Sequence, residues 1–113
     1  MIKPCRGEVW LVNLEPVEGH EQGRQRRALV ISVDKLNHGP GEMAVVVPMT
    51  TRMRGIPIHV PVHPPDGGLS LRSEIKCDQI RAISTKRFTR RFGAISSEVM
   101  RQVEDRVRIV LGL

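Results

Sequence analysis

The chain has 113 residues and a mass of 12.7 kDa, enough for one hydrophobic core and too little for two, so a single domain over 1–113 is expected. A hydrophobic share of 40% with 27% charged residues excludes wholesale disorder, and no run approaches the roughly 18 apolar residues of a membrane span. The formal charge of +6 calls for an anionic partner, most often nucleic acid in a small basic protein.

In chain order, Met1 to Arg6 lead directly into a charged strand rather than an apolar signal core, so a cytoplasmic protein is expected. Cys5 and Cys77 lie outside any CxxC spacing and read as two free thiols of a reducing compartment. Gly7 to Asn13 read as a first strand. Arg27 to Val33 and Met43 to Pro48 are nearly continuous apolar runs of strand length, expected as central strands covered on both faces. Between them, Asp34 to Gly41 carry the Asn, Gly and Pro of a turn. Ile58 to Val62 predict a fourth strand, which Pro57 and Pro61 push to a sheet edge. Glu74 to Ile83 alternate until Asp78-Gln79, where the phase breaks, predicting one or two strands with a bend. Ser96 as N-cap, Glu98 in the first turn, and Val99, Met100, Val103, Val107, Val110 and Leu111 at helical spacing predict a terminal amphipathic helix ending at Gly112. Five or six short strands and one helix, without βαβ alternation, imply a compact antiparallel β-barrel with the helix packed against it.

Two segments carry the chemistry. Gly19 to Arg27 form a polar loop running into Ala28-Leu29-Val30-Ile31, and Val46 to Arg52 end a buried strand in Thr50-Thr51-Arg52. An arginine fork and a threonine hydroxyl at strand ends suit a phosphodiester. Arginine titrates far above neutrality, so it is a poor general base and a good stabiliser of a crowded phosphate. No aspartate cluster suits a two-metal site, and His59 and His63, four apart in a strand, are separated by roughly 13 Å, too far to chelate one ion. No metal and no cofactor are expected. Arg81, Lys86, Arg87, Arg90 and Arg91 form the densest basic stretch, which reads equally as an RNA track or a solvated face. With only Trp10, Phe88 and Phe92 aromatic, an aromatic stacking platform is not expected.

Four segments in order resemble the MazF/PemK family of toxin endoribonucleases over nearly the whole chain. Arg6-Gly7-Glu8-Val9-Trp10 is similar to the family's RG-D/E-V-W/Y opening, and Gly19 to Arg26 to its G-x-E-Q-G-x-x-R loop. Val47-Pro48-Met49-Thr50-Thr51 is similar to V-P-x-T-T/S, and Ser73 to Arg81 to S-x-V/I-x-x-D-Q-I-R. The resemblance implies an SH3-like, PemK/CcdB-like barrel, a homodimer, a cognate antitoxin, and sequence-selective, metal-independent cleavage of single-stranded RNA such as mRNA. Carried over by position, Arg26 and Thr50 are the catalytic residues, with Glu21 a candidate base. Gln22, Arg24, Arg27, Thr51, Arg52, Ser73, Gln79 and Arg81 are candidate RNA contacts. Where the family has proline after the catalytic arginine this chain has Arg27, which leaves open whether Arg26 or Arg27 takes the phosphate. Two other readings stand beside cleavage: a non-catalytic gyrase poison of the CcdB kind, and an inactive RNA-binding relative.

Overall fold

The computed structural model describes residues 2–14 and 25–113. Within them the chain forms strands β1 (Glu8–Asn13), β2 (Gln25–Val30), β3 (Met43–Thr50), β4 (Val60–Val62), β5 (Ser73–Ile75), β6 (Arg81–Ser84) and β7 (Phe88–Ala94). A one-turn helix α1 (Asp34–Asn37) and a terminal helix α2 (Ser97–Leu111) complete it. The strands build one curled antiparallel sheet in the order β4-β5-β3-β2-β1-β7, with β6 beside the first half of β3.

The central strands are covered on both faces, as their continuous apolar runs require. Val9, Leu29, Val47 and Met49 point into one core with Val60, Val62, Ile75 and Val103. Their sequence neighbours Trp10, Val12, Ala28, Val30 and Val46 point into a second core with Ile83 and Phe88. Trp10 is a core residue: its ring meets Phe88 edge-on at 5.7 Å and its indole N–H donates to Glu8 Oε1 at 3.0 Å.

The helix is stopped and started as the sequence predicts. Ser96 Oγ accepts from the Val99 N–H at 3.3 Å, and Gly112 takes the left-handed φ of 70° that closes the C-terminus. Asp66 accepts from both the N–H and the hydroxyl of Ser96, at 2.7 and 2.8 Å, fastening the helix entry to a 3-10 turn at Asp66–Gly68. That turn lies flat on β7, because a Cβ on Gly68 would stand 2.1 Å from the Phe92 carbonyl oxygen.

Five expectations are corrected. The second strand starts two residues earlier than Arg27 and ends at Val30, and the third continues past Pro48 to Thr50. Half of the 34–41 turn is the helical turn α1, where Asn37 is buried and bonds back to Ser32. Phe88–Ala94, which overlaps the end of the basic stretch, is a seventh strand where five or six were expected, and its pairing with β1 shifts register twice and so scrambles the alternation that marks a strand. Val110 and Leu111 are exposed, because the last turn of α2 extends past the core that Val99, Met100, Val103 and Val107 meet.

Candidate nucleic-acid interface and active site

The site is made by a fork in the sheet. The β2–β3 ladder runs only from Val30/Val46 to Ala28/Pro48. At Pro48, which has no N–H to give, β3 leaves β2 and joins β5, with Met49 opposite Ile75 and Thr50 opposite Glu74. The Pro48 carbonyl accepts from the Lys76 N–H at 2.9 Å, which seals the new partnership. The gap between the prongs is an open groove of about 790 Å³.

Cations dominate its lining. Arg26 and Arg27 stand on one prong, Arg52 and Arg54 on the loop beyond the other, and Lys76, Arg81 and Arg90 along the sides, with no carboxylate or histidine among the described lining residues. A concave surface of one sign focuses the field on an anionic chain. Phe92 is the aromatic of the wall, and the Arg90 guanidinium covers its ring at 4.5 Å from the centroid.

Arg26 and Arg27 are neighbours in β2 and project to opposite faces. Arg26 shares a face with Ala28, and Thr50 with Pro48; since Ala28 and Pro48 are direct partners, Arg26 and Thr50 lie on the same face, across the mouth of the fork. The Arg26 side chain is exposed, and its hydrogen bond goes to the adjacent Gln25 carbonyl at 3.2 Å. Arg27 is half-buried and donates to Ser73 Oγ at 2.7 Å; burial pulls its pKa below the ordinary arginine value. Thr50 Oγ1 accepts from the Arg52 N–H at 3.1 Å, so the hydroxyl caps its turn and still has its own hydrogen to donate into the groove.

Of the other candidate contacts, Thr51, Arg52, Gln79 and Arg81 are exposed and line the groove. Ser73 does not line the groove: it is wholly buried, and its hydroxyl accepts from Arg27 and donates to the Leu71 carbonyl at 3.1 Å. Glu21, Gln22 and Arg24 lie outside the described residues, between Leu14 and Gln25, which both line the groove. The basic stretch divides: Arg81 and Arg90 face the groove, while Arg91 pairs with Glu8 at 2.6 Å and Arg87 donates to the Asn13 carbonyl at 3.2 Å. Arg54 and Lys76 line the groove as well, and sequence reasoning missed them because lone cations outside the strands carry no periodic signal.

Behind the groove, His59 and Glu74 are buried together. His59 Nδ1 lies 3.0 Å from Glu74 Oε1 and its Nε2 lies 3.2 Å from Asp78 Oδ1. The His59 hydrogen bond and the amides of Gly55 and Arg54 hold the Glu74 carboxyl below its ordinary value against the opposing effect of burial. Elsewhere, Cys5, Asp34 and His38 bring three metal-ligating atoms within 4.8 Å of one another. Linear spacing did not reveal this cluster, and none of its members lines the groove. Both cysteines are free thiols; Cys77 is buried, and burial pushes its pKa up to about 12.

Residues 5–111 match the family of PemK-like, MazF-like toxins of type II toxin-antitoxin systems. Endoribonuclease MazF9 of Mycobacterium tuberculosis is 32% identical over 96% of both chains. A MazF crystal structure from Deinococcus radiodurans superposes with a TM-score of 0.82 at 26% identity, covering 100% of both chains. A MazE–MazF structure from the same organism reaches a TM-score of 0.85 at 27% identity, covering 100% of this chain and 99% of the other. A match from Cys5 to Leu111, joined to the same curled sheet and terminal helix, leaves one conclusion: the chain belongs to the PemK-like, MazF-like toxin family of type II toxin-antitoxin systems.

Proposed function

We propose that the forked groove cleaves single-stranded RNA, mRNA included, and that the chain is the endoribonuclease toxin of a toxin-antitoxin pair. The observation that carries this is the placement of Arg26 and Thr50 on one face at the mouth of a groove with seven cationic side chains and no described carboxylate. A gyrase poison has no need of that pair, and the endoribonuclease relative weighs against that reading.

The 2′-oxygen of one nucleotide attacks the adjacent phosphorus, the bond from phosphorus to the 5′-oxygen breaks, and the products are a 2′,3′-cyclic phosphate and a 5′-hydroxyl. Arg26 neutralises the charge that builds on the phosphate oxygens and Thr50 donates to them or to the leaving oxygen. A base must take the 2′-hydroxyl proton, and with no carboxylate or histidine among the described lining residues we assign it to Glu21, the carboxylate nearest to Arg26 in sequence. Thr51, Arg52, Gln79 and Arg81 hold flanking nucleotides, and Arg27, braced by Ser73, contacts a neighbouring phosphate. No metal is required in this scheme, since the described lining residues are cationic or uncharged and offer a divalent ion no anionic ligand.

The toxin acts as a homodimer in the cytoplasm and is silenced by a cognate antitoxin. Exposed Ile109, Leu111 and Leu113 at the end of α2 favour self-association. No helix among the described residues is long and apolar enough to cross a membrane. Incubating the protein with a long RNA of mixed structure in EDTA, then mapping fragment 5′ ends, tests the reading. Cleavage at recurring unpaired sites with 5′-hydroxyl ends is expected; activity lost on chelation and restored by magnesium would overturn the mechanism.

A further inference from the structure

The hydrogen-bonded trio of His59, Glu74 and Asp78 behind the groove is costly for a fold that needs only packing. Glu74 is 3% exposed and His59 6%. Buried charged groups can often be replaced with apolar side chains at no loss of stability, so stability alone does not account for a buried Glu74 carboxylate. What it supplies is geometry. Glu74 Oε1 meets His59, while its Oε2 accepts from the Arg54 N–H at 3.0 Å and the Gly55 N–H at 2.8 Å. Gly55 adopts a left-handed φ of 66° where the carboxylate grips the chain. Arg106 of α2 donates to the Pro57 carbonyl at 2.9 Å and fixes the far end of the same loop. Arg54, so held, enters the groove beside Arg52 of the same loop, whose N–H is taken by Thr50 Oγ1, and the outer end of the trio, Asp78, precedes Gln79, which lines it as well.

We propose that Glu74, braced by His59 and Asp78, is a positioning residue that sets the 51–57 loop, so that Arg52 and Arg54 meet the phosphates flanking the scissile bond. The proposal rests on the cleavage reaction proposed above. The carboxylate touches no substrate. It converts the 51–57 excursion, which belongs to no strand, into a rigid wall, and ordering that wall in advance removes an entropic cost from RNA binding.

The test is steady-state and single-turnover cleavage of an unstructured RNA oligonucleotide carrying a site mapped with the wild-type protein. Glu74→Ala is expected to raise KM about tenfold, on the scale of losing charge-assisted contacts, with kcat within about twofold of wild type. Glu74→Gln, whose carbonyl oxygen still accepts from both loop amides, should recover most of that loss. In an Arg52→Ala/Arg54→Ala background, Glu74→Ala should add nothing further to KM. An unchanged KM for Glu74→Ala, a fall in kcat instead, or an undiminished KM effect in the double background would each overturn the proposal. Amide exchange in the wild-type protein provides a test independent of any variant's folding. Arg54 and Gly55 should exchange at least about tenfold more slowly than the unpaired amides of the same loop, and equal rates would refute the clamp. If the wild type cleaved no RNA while those amides were protected, the cleavage reading would fail and the clamp would stand.

Discussion

Replacing Arg26, Arg27 and Thr50 one at a time separates chemistry from binding. Arg26 is exposed and bonded only to the neighbouring carbonyl among the described residues, so Arg26→Ala should change stability by no more than about 0.5 kcal/mol. Its cost should appear in the transition state, as a 100- to 1,000-fold fall in single-turnover rate, or about 2.7–4 kcal/mol, with RNA affinity nearly intact. Thr50→Ala should resemble it. Arg27→Ala removes the donor to Ser73 Oγ and leaves that buried hydroxyl its bond to the Leu71 carbonyl. The expected loss is about 1–2 kcal/mol of stability, a Tm lower by roughly 5–10 °C. RNA binding should weaken and its salt slope should fall by about 0.7, the value for one phosphate contact on a single strand. Single-turnover rates, melting curves and salt titrations on one mapped RNA decide the matter. If Arg27→Ala abolishes chemistry while Arg26→Ala cleaves normally, the assignment by strand face is wrong.

The depressed pKa of Glu74 makes a prediction about acid. A lowered folded-state value adds stability above the ordinary carboxylate value of 4.5, and that stability is lost as pH falls through the folded value. The wild-type Tm should therefore drop more steeply below about pH 4.5 than that of Glu74→Gln, and parallel curves would remove Glu74 from the account. Cys77, raised to about 12, stays a protonated thiol and should resist a thiol reagent at pH 8 in the native protein while reacting in denaturant. Two thiols titrated at equal speed under native conditions would contradict its burial.

What could be read from the sequence follows from where each signal resides. The central strands, the edge placement of β4 and the helix caps rest on local patterns, and they appear where the residues put them. Arg26 and Thr50 were marked by motif and position. Which arginine faces Thr50 was not legible, because Gln25-Arg26-Arg27 is uniformly polar and only the register of Ala28 on Pro48 assigns the faces. The strand 88–94 was hidden by Thr89-Arg90-Arg91, three polar residues in a row on an edge whose pairing slips twice. The His59–Glu74 contact joins two segments 15 residues apart through a sheet edge, and no spacing rule covers such a pair.

The fork at Pro48 also bears on how such a protein can change over generations. On the groove side, residues 25–27 have left the β2–β3 ladder, and residues 51–57 belong to no strand. Exchanging side chains at the prong tips therefore breaks no β2–β3 backbone bond and opens no cavity in either core. The bound RNA sequence is thus free to drift through exposed tip positions such as Gln25, Thr51 and Met53, while Arg26, Arg27 and Thr50 keep the phosphate chemistry in place. A lineage that duplicates this gene can explore new targets by altering a handful of tip positions, with the stability of the sheet largely unaffected.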